Sequence, residues 1–134
     1  MKSTPRIVVL DDNEVFASLV SATLEADYEV AVGHNGLEGI ALCRETPTDA
    51  VITDIGMPDL DGIAMLREFG KDHYLARIPV LVVTATHFTR ISREAVRRFP
   101  QVKRVLSKTT GMDVLAQELQ TVLEETYGPK PPVQ

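Results

Sequence analysis

With 134 residues, 44% of them apolar and 25% charged, the chain has room for one domain and the composition of one that folds, which excludes a disordered or collagen-like protein. A net charge of −5 and a pI near 5.1 exclude a dedicated nucleic-acid binder, because phosphate contacts need a basic excess. The single cysteine, Cys43, excludes an intrachain disulfide, and the apolar run at 7–10 is too short for a signal peptide or membrane span, so a cytoplasmic chain with no membrane attachment is expected.

In chain order, short apolar runs rich in β-branched residues fall at 7–10, 28–32, 50–55, 79–84 and 102–106, each bounded by turn-forming or charged residues, and predict five strands. The run from Pro79 to Thr84 is continuously apolar instead of alternating, as a parallel strand covered on both faces requires. Between the strands, Val15, Leu19, Val20 and Leu24 recur at helical spacing over 13–26, with Asn13 as the cap. A second helix over 37–45 follows the Asn35-Gly36 turn, and helices over 63–69, 91–99 and Met112–Tyr127 complete the set. Alternation of this kind predicts an α/β fold: a doubly wound (βα)5 unit with a five-stranded parallel sheet, one domain over 1–127. The proline-rich stretch 128–134 reads as a tail or the start of a linker. In such a fold the ligand crevice lies beyond the carboxyl ends of the strands.

The first strand ends in Asp11-Asp12-Asn13, where two adjacent carboxylates repel one another. Capping the next helix needs only Asp12 or Asn13 and leaves Asp11 without a purpose. Asp54 stands at the end of the third strand within an apolar run, and the expected sheet order brings it beside the pair. Three converging carboxylates need a cation, and hard oxygen ligands select Mg²⁺, which keeps several waters and leaves a place for phosphate. The fourth and fifth strands end in Thr84 and Ser107-Lys108, a hydroxyl and an ammonium suited to the charge on a transferring phosphoryl group. The pattern points to metal-assisted phosphoryl transfer onto a carboxylate.

The order Asp11-Asp12, then Asp54 with Met57-Pro58 and Asp61-Gly62, then Thr84-Ala85, then Lys108 resembles the receiver domain of two-component response regulators over nearly the whole chain. The resemblance implies a flavodoxin-like fold with Asp54 as phosphoacceptor. It implies that Asp11 and Asp12 are the metal-binding pair, that the Gly56 backbone carbonyl completes the Mg²⁺ site with Asp54, and that Thr84 and Lys108 are the switch hydroxyl and the phosphate-binding lysine. A histidine kinase or phosphotransfer protein is the implied donor, an output partner or domain the implied target, and a homodimer is compatible with both. Such a protein catalyses its own phosphorylation and dephosphorylation and is not a turnover enzyme. Gly56 and Thr86 are too short to shield an acyl phosphate from water. Pro58 is expected to fix a turn and Gly62 to allow a tight backbone. Asp59 and Asp61 are not expected to be ligands, since Asp59-Leu-Asp-Gly62 lacks the rest of a calcium loop. Two positions depart from the family: Val105 replaces an aromatic residue, and Thr109 replaces the proline after the lysine. They motivate the alternative of a phosphorylation-independent, receiver-like interaction module, against which the complete acidic triad argues.

Other features read more plainly. His34, His73 and His87 lie beside no nucleophile and are assigned to the surface, and Cys43 to packing. Gly36-Leu-Glu-Gly39 lacks the ending of a phosphate loop, which disfavours a nucleotide triphosphatase. An aspartyl-phosphate hydrolase needs a second acid two residues after its nucleophile, where Gly56 stands. Arg90, Arg93, Arg97, Arg98, Lys103, Arg104 and Lys108 face Glu94 alone between 87 and 108, leaving −11 on the remainder. This basic stretch is either a solvated face or the surface that meets an acidic output partner, and no direct nucleic-acid binding is expected.

Overall fold

A computed structural model describes residues 4–57, 59–85 and 90–129, with 90–92 as backbone only. Pro58, Thr86, His87 and the tail beyond 129 lie outside the described residues. Strands β1 (Arg6–Leu10), β2 (Glu29–Gly33), β3 (Ala50–Thr53), β4 (Val80–Thr84) and β5 (Val102–Ser107) alternate with helices α1 (Glu14–Leu24), α2 (Gly36–Glu45), α3 (Gly62–Gly70), α4 (Arg90–Arg97) and α5 (Met112–Tyr127). All strand pairs are parallel, and the sheet order is β2-β1-β3-β4-β5. This is the doubly wound arrangement that the alternation predicts, with the order reversing between β1 and β3.

The central strands β1, β3 and β4 are buried along their whole length, as their unbroken apolar runs require. Successive residues feed opposite layers. Val8, Leu10, Val51, Val80 and Val82 join Met65, Leu66 and Phe69 on one face. Ile7, Val9, Ile52, Leu81 and Val83 join Val20, Leu24, Leu115 and Leu119 on the other. Each such side chain stabilises the fold by about 1.5–3 kcal/mol relative to exposure.

Several element ends differ from the sequence expectation, each for a local reason. β3 stops at Thr53 instead of 55, because Asp54 turns its carboxylate onto the Ile55 amide at 2.7 Å. α4 stops at Arg97 instead of 99, where Arg98 and Phe99 switch to bonds three residues back and Pro100 follows. Asn13 lies outside α1 as its cap, its side chain accepting from the Phe16 amide. A single 3₁₀ turn at Leu75–Arg77 was not foreseen.

Gly62 opens α3, with Asp61 as its cap. Its amide donates to the Ile55 carbonyl at 2.8 Å, and a Cβ here would lie 2.7 Å from the Asp54 carbonyl oxygen and 2.8 Å from the Ile55 Cα. The glycine is needed for this close approach of two backbones. Gly62→Ala should therefore cost about 1–3 kcal/mol of stability through overpacking, read as a lower urea midpoint; an unchanged midpoint would show that the loop yields freely.

Candidate functional site

Three backbone bonds continue the sheet past the strand ends and fix where the site residues start. The Asp11 amide donates to the Gly33 carbonyl at 3.1 Å, the Asp54 amide to Leu10 at 2.9 Å and the Lys108 amide to Thr84 at 2.8 Å. Because β1 and β3 are neighbours, Asp11 and Asp54 emerge side by side, 2% and 7% exposed, while Asp12 faces solvent. Ligand oxygens of Asp11, Asp12 and Asp54 lie within 4.8 Å of one another. Asp11 Oδ1 accepts from the Asn13 amide at 2.9 Å, and Asn13 alone caps α1, so neither acidic residue is used as the cap.

The two oxygens of Asp54 are differentiated. Oδ1 accepts from the Ile55 amide at 2.7 Å, whereas Oδ2 faces the Lys108 ammonium at 3.3 Å. Lys108 lies closer to Asp11, at 2.8 Å, and its Nζ sits 5.0 Å from the centre of the Phe16 ring. The ammonium thus bridges two carboxylates over an aromatic face. Burial, and then the charge of Asp11, push the Asp54 carboxyl above its ordinary range against the opposing pull of Lys108. Burial alone would lower the Lys108 ammonium, but its bonds to Asp11 and Asp54 outweigh that and raise it.

Thr84 ends β4, buried and in register with Ser107 of β5, so the threonine and lysine reach the same rim. Gly56 is exposed two residues beyond Asp54. Asp61 is a helix cap, with Ala64 donating to it at 2.8 Å. Asp59 adopts a φ of 63° and meets Asn35 at 3.4 Å. Neither belongs to the acidic group. His34 pairs with Glu38 on the surface at 3.3 Å, and the Cys43 thiol is buried and pushed up to about 11, an inert state.

Sequence reasoning missed three features here. Phe16 carries no functional signal in the sequence, and nothing in its position announces the lysine 5.0 Å above its ring. The closeness of Lys108 to Asp11 depends on side-chain reach. The third is how Lys108 is held without a following proline: the Thr109 amide donates to Ser107 Oγ at 3.1 Å, the two hydroxyls meet at 2.8 Å, and the Thr110 amide donates to the Ser107 carbonyl at 2.9 Å. A serine-based turn takes the proline's place. The basic stretch is also less uniform than its composition suggests, since Arg104 is held by Glu118 at 2.6 Å and Glu125 at 3.1 Å, both on α5.

Among the described residues, no helix is long and apolar enough to cross a membrane. Comparison with known proteins gives a consistent result. The chain is 38% identical over 80 residues to the protein PilH of Pseudomonas aeruginosa, covering 59% of this chain and 66% of that protein. It is 37% identical over 82 residues to the DNA-binding dual master transcriptional regulator RpaA of Synechocystis, covering 60% of this chain and 34% of that one. The chain thus spans about a third of RpaA and just under two thirds of PilH. Among solved structures, the receiver domain of the sensor histidine kinase PA1611 from Pseudomonas aeruginosa, which holds a magnesium ion in its active-site cleft, has a TM-score of 0.77 at 25% identity, covering 93% of this chain and 98% of that one. The chemotaxis response regulator CheY4 of Vibrio cholerae has the same fold, with a TM-score of 0.79 at 23% identity, covering 89% and 98%. The family model of the response regulator receiver domain matches residues 7–120. Since that match runs from β1 into α5, the chain belongs to the receiver domain family of two-component response regulators.

Proposed function

We propose that the receiver accepts a phosphoryl group on Asp54, with Oδ2 as the attacking oxygen. The observation that carries this is the unequal use of the two oxygens: Oδ1 is tied to the Ile55 amide, while Oδ2 faces the lysine. Attack by Oδ2 on the phosphorus of a phosphohistidine donor forms the acyl phosphate as the P–N bond breaks, and the imidazole keeps the electron pair. Lys108 and the Thr84 hydroxyl would take the phosphoryl oxygens. The donor set of hard oxygens suits Mg²⁺, held by Asp11, Asp12, Asp54 and the Gly56 carbonyl. When bound, Mg²⁺ supplies positive charge against the phosphoryl oxygens.

The phosphoryl group ends on the chain itself, so the protein is a switch and not a turnover enzyme. Its donor would be a histidine kinase or phosphotransfer protein in the cytoplasm, meeting the exposed Val15 and Leu19 of α1, 80% and 51% accessible beside the acidic pair. Phosphorylation would bias an equilibrium between two conformations, one favoured by an output partner or domain. The exposed Arg97, Arg98 and Lys103 remain available to an acidic output surface, whereas Arg104 is occupied by α5. The receiver is assigned to 1–127 and the tail or linker to 128–134.

Incubation with acetyl phosphate and Mg²⁺ should add one phosphate to the wild-type protein and none to Asp54→Asn, followed by mass spectrometry; equal labelling of the variant would remove Asp54 as acceptor. Gly56 leaves the acceptor open to water, so Gly56→Arg should lengthen the lifetime of the phosphoprotein severalfold in excess Mg²⁺ on a Phos-tag gel. A faster decay would argue against steric control.

A pH dependence also follows. A carboxyl raised on folding makes the native state bind the extra proton, so stability falls as pH rises from the ordinary carboxylate range through the raised value. Above that window the full cost is present. In EDTA at neutral pH, Asp54→Asn should therefore unfold at higher urea than the wild type. The gap should close below the ordinary carboxylate range, where Asp54 is protonated in both states; a gap that persists there would assign the gain to another cause.

A further inference from the structure

Two grooves lie side by side on the helical layer formed by α2, α3 and the chain that leaves α4. One, of about 580 Å³, runs between α3 and the Phe99–Gln101 segment, with Leu60, Phe99 and Pro100 supplying apolar walls. The other, of about 430 Å³, runs between α2 and α3 over Leu37 and Ile40. Leu60 and Glu68 line both, so the two form one corrugated surface, and Leu37 is 59% exposed on it. An apolar surface of this extent costs free energy while it faces water.

Its rim is cationic. Arg44 lines the second groove and Arg67 the first. Both side chains are exposed, and neither makes an ion pair within 4.0 Å among the described residues. Glu68 is matched by Lys71 at 3.1 Å. Arg97 and Arg98, also exposed, lead into Phe99. Gln101 closes the end of the larger groove at 7% exposure. The α5 side contrasts with this surface, since Glu118 and Glu125 already neutralise Arg104 there.

We propose that this α2–α3–α4 surface docks an acidic segment of a partner protein. Apolar side chains of the segment seat in the grooves on either side of Leu60, and its carboxylates meet Arg44 and Arg67. Charge complementarity selects an acidic occupant. The docking requires no phosphoryl group, so it stands apart from the acceptor role of Asp54.

The test uses a fluorescein-labelled, capped peptide of glutamates interrupted by two leucines, titrated with the full chain and read by fluorescence anisotropy. Saturable binding is expected, weakened about fivefold by Arg44→Gln with Arg67→Gln, as two surface charge pairs would contribute. The thermal midpoint of the arginine double variant should match the wild type, since both side chains are exposed, which separates docking from a purely structural role. Asp54→Asn should bind like the wild type, which keeps this result independent of the acceptor assignment. Equal binding of a peptide with serines in place of the leucines would overturn the proposal by showing charge attraction alone. Full affinity in the arginine double variant would overturn it too. So would sedimentation showing a dimer that the arginine variant breaks, which would make a second copy of the chain the occupant.

Discussion

The convergence of Asp11, Asp12 and Asp54 is the constraint on which the rest of the site depends. Carboxylate oxygens within 4.8 Å of one another, two of them on residues almost removed from water, repel strongly in a medium less polarisable than water. Among the described residues this repulsion is offset by the Lys108 ammonium, 2.8 Å from Asp11 and 3.3 Å from Asp54, and by the Asn13 and Ile55 amides that donate to the two carboxylates. Burial still holds the Asp54 carboxyl above its ordinary range, so the lysine compensates only in part. A deficit of positive charge at one point is what a hard divalent cation or a phosphate-bearing donor with its cation can fill, and the fold maintains that deficit at some cost to its own stability.

The geometry of this cluster is inherited from the sheet. Three residues of the site are placed by a ladder bond running one residue past a strand: Asp11 on Gly33, Asp54 on Leu10 and Lys108 on Thr84. Those strands are the rigid part of the molecule, with β1, β3 and β4 buried throughout between two layers of helices. Charged groups mounted on such a frame cannot relax apart, which is why repulsion persists instead of being relieved by movement. The close backbone contact at Gly62 extends the same rigidity to the chain after the acceptor.

Most of this was legible in the sequence because it rests on short-range rules. Continuous apolar runs gave the buried parallel strands, Asn13 gave the cap of α1, the Asn35-Gly36 turn gave the start of α2, and strand ends gave Asp11, Asp12, Asp54, Thr84 and Lys108. What escaped depends on side chains that meet only in three dimensions. Phe16 sits under the Lys108 ammonium because the lysine side chain reaches from the end of β5 across to Asp11, next to the start of α1, and no periodicity encodes that. The end of β3 was misjudged by two residues, since Ile55 remains apolar and buried although the Asp54 side chain has already diverted the backbone.

The two departures from the family pattern have different physical weights. Thr109 is absorbed locally: Ser107 accepts from the Thr109 amide and meets its hydroxyl, so the turn that presents Lys108 is held by hydrogen bonds where a proline ring would have held it by restricting φ. The lysine reaches both carboxylates all the same. Val105 is not replaced in this way. It is half-buried on β5, paired with Val82 and packed against the core layer that includes Phe69 and Val96. A β-branched side chain has essentially one torsion and strong rotamer preferences, so it cannot alternate between an outward and an inward position as a long aromatic ring can. The middle of β5 therefore offers a fixed surface in this chain, and the neighbouring Arg104 is held by Glu118 and Glu125. The open apolar relief lies instead around α3 and the chain after α4, where Arg67 lines the Leu60 and Phe99 groove and the exposed Arg97 and Arg98 precede Phe99 in the chain.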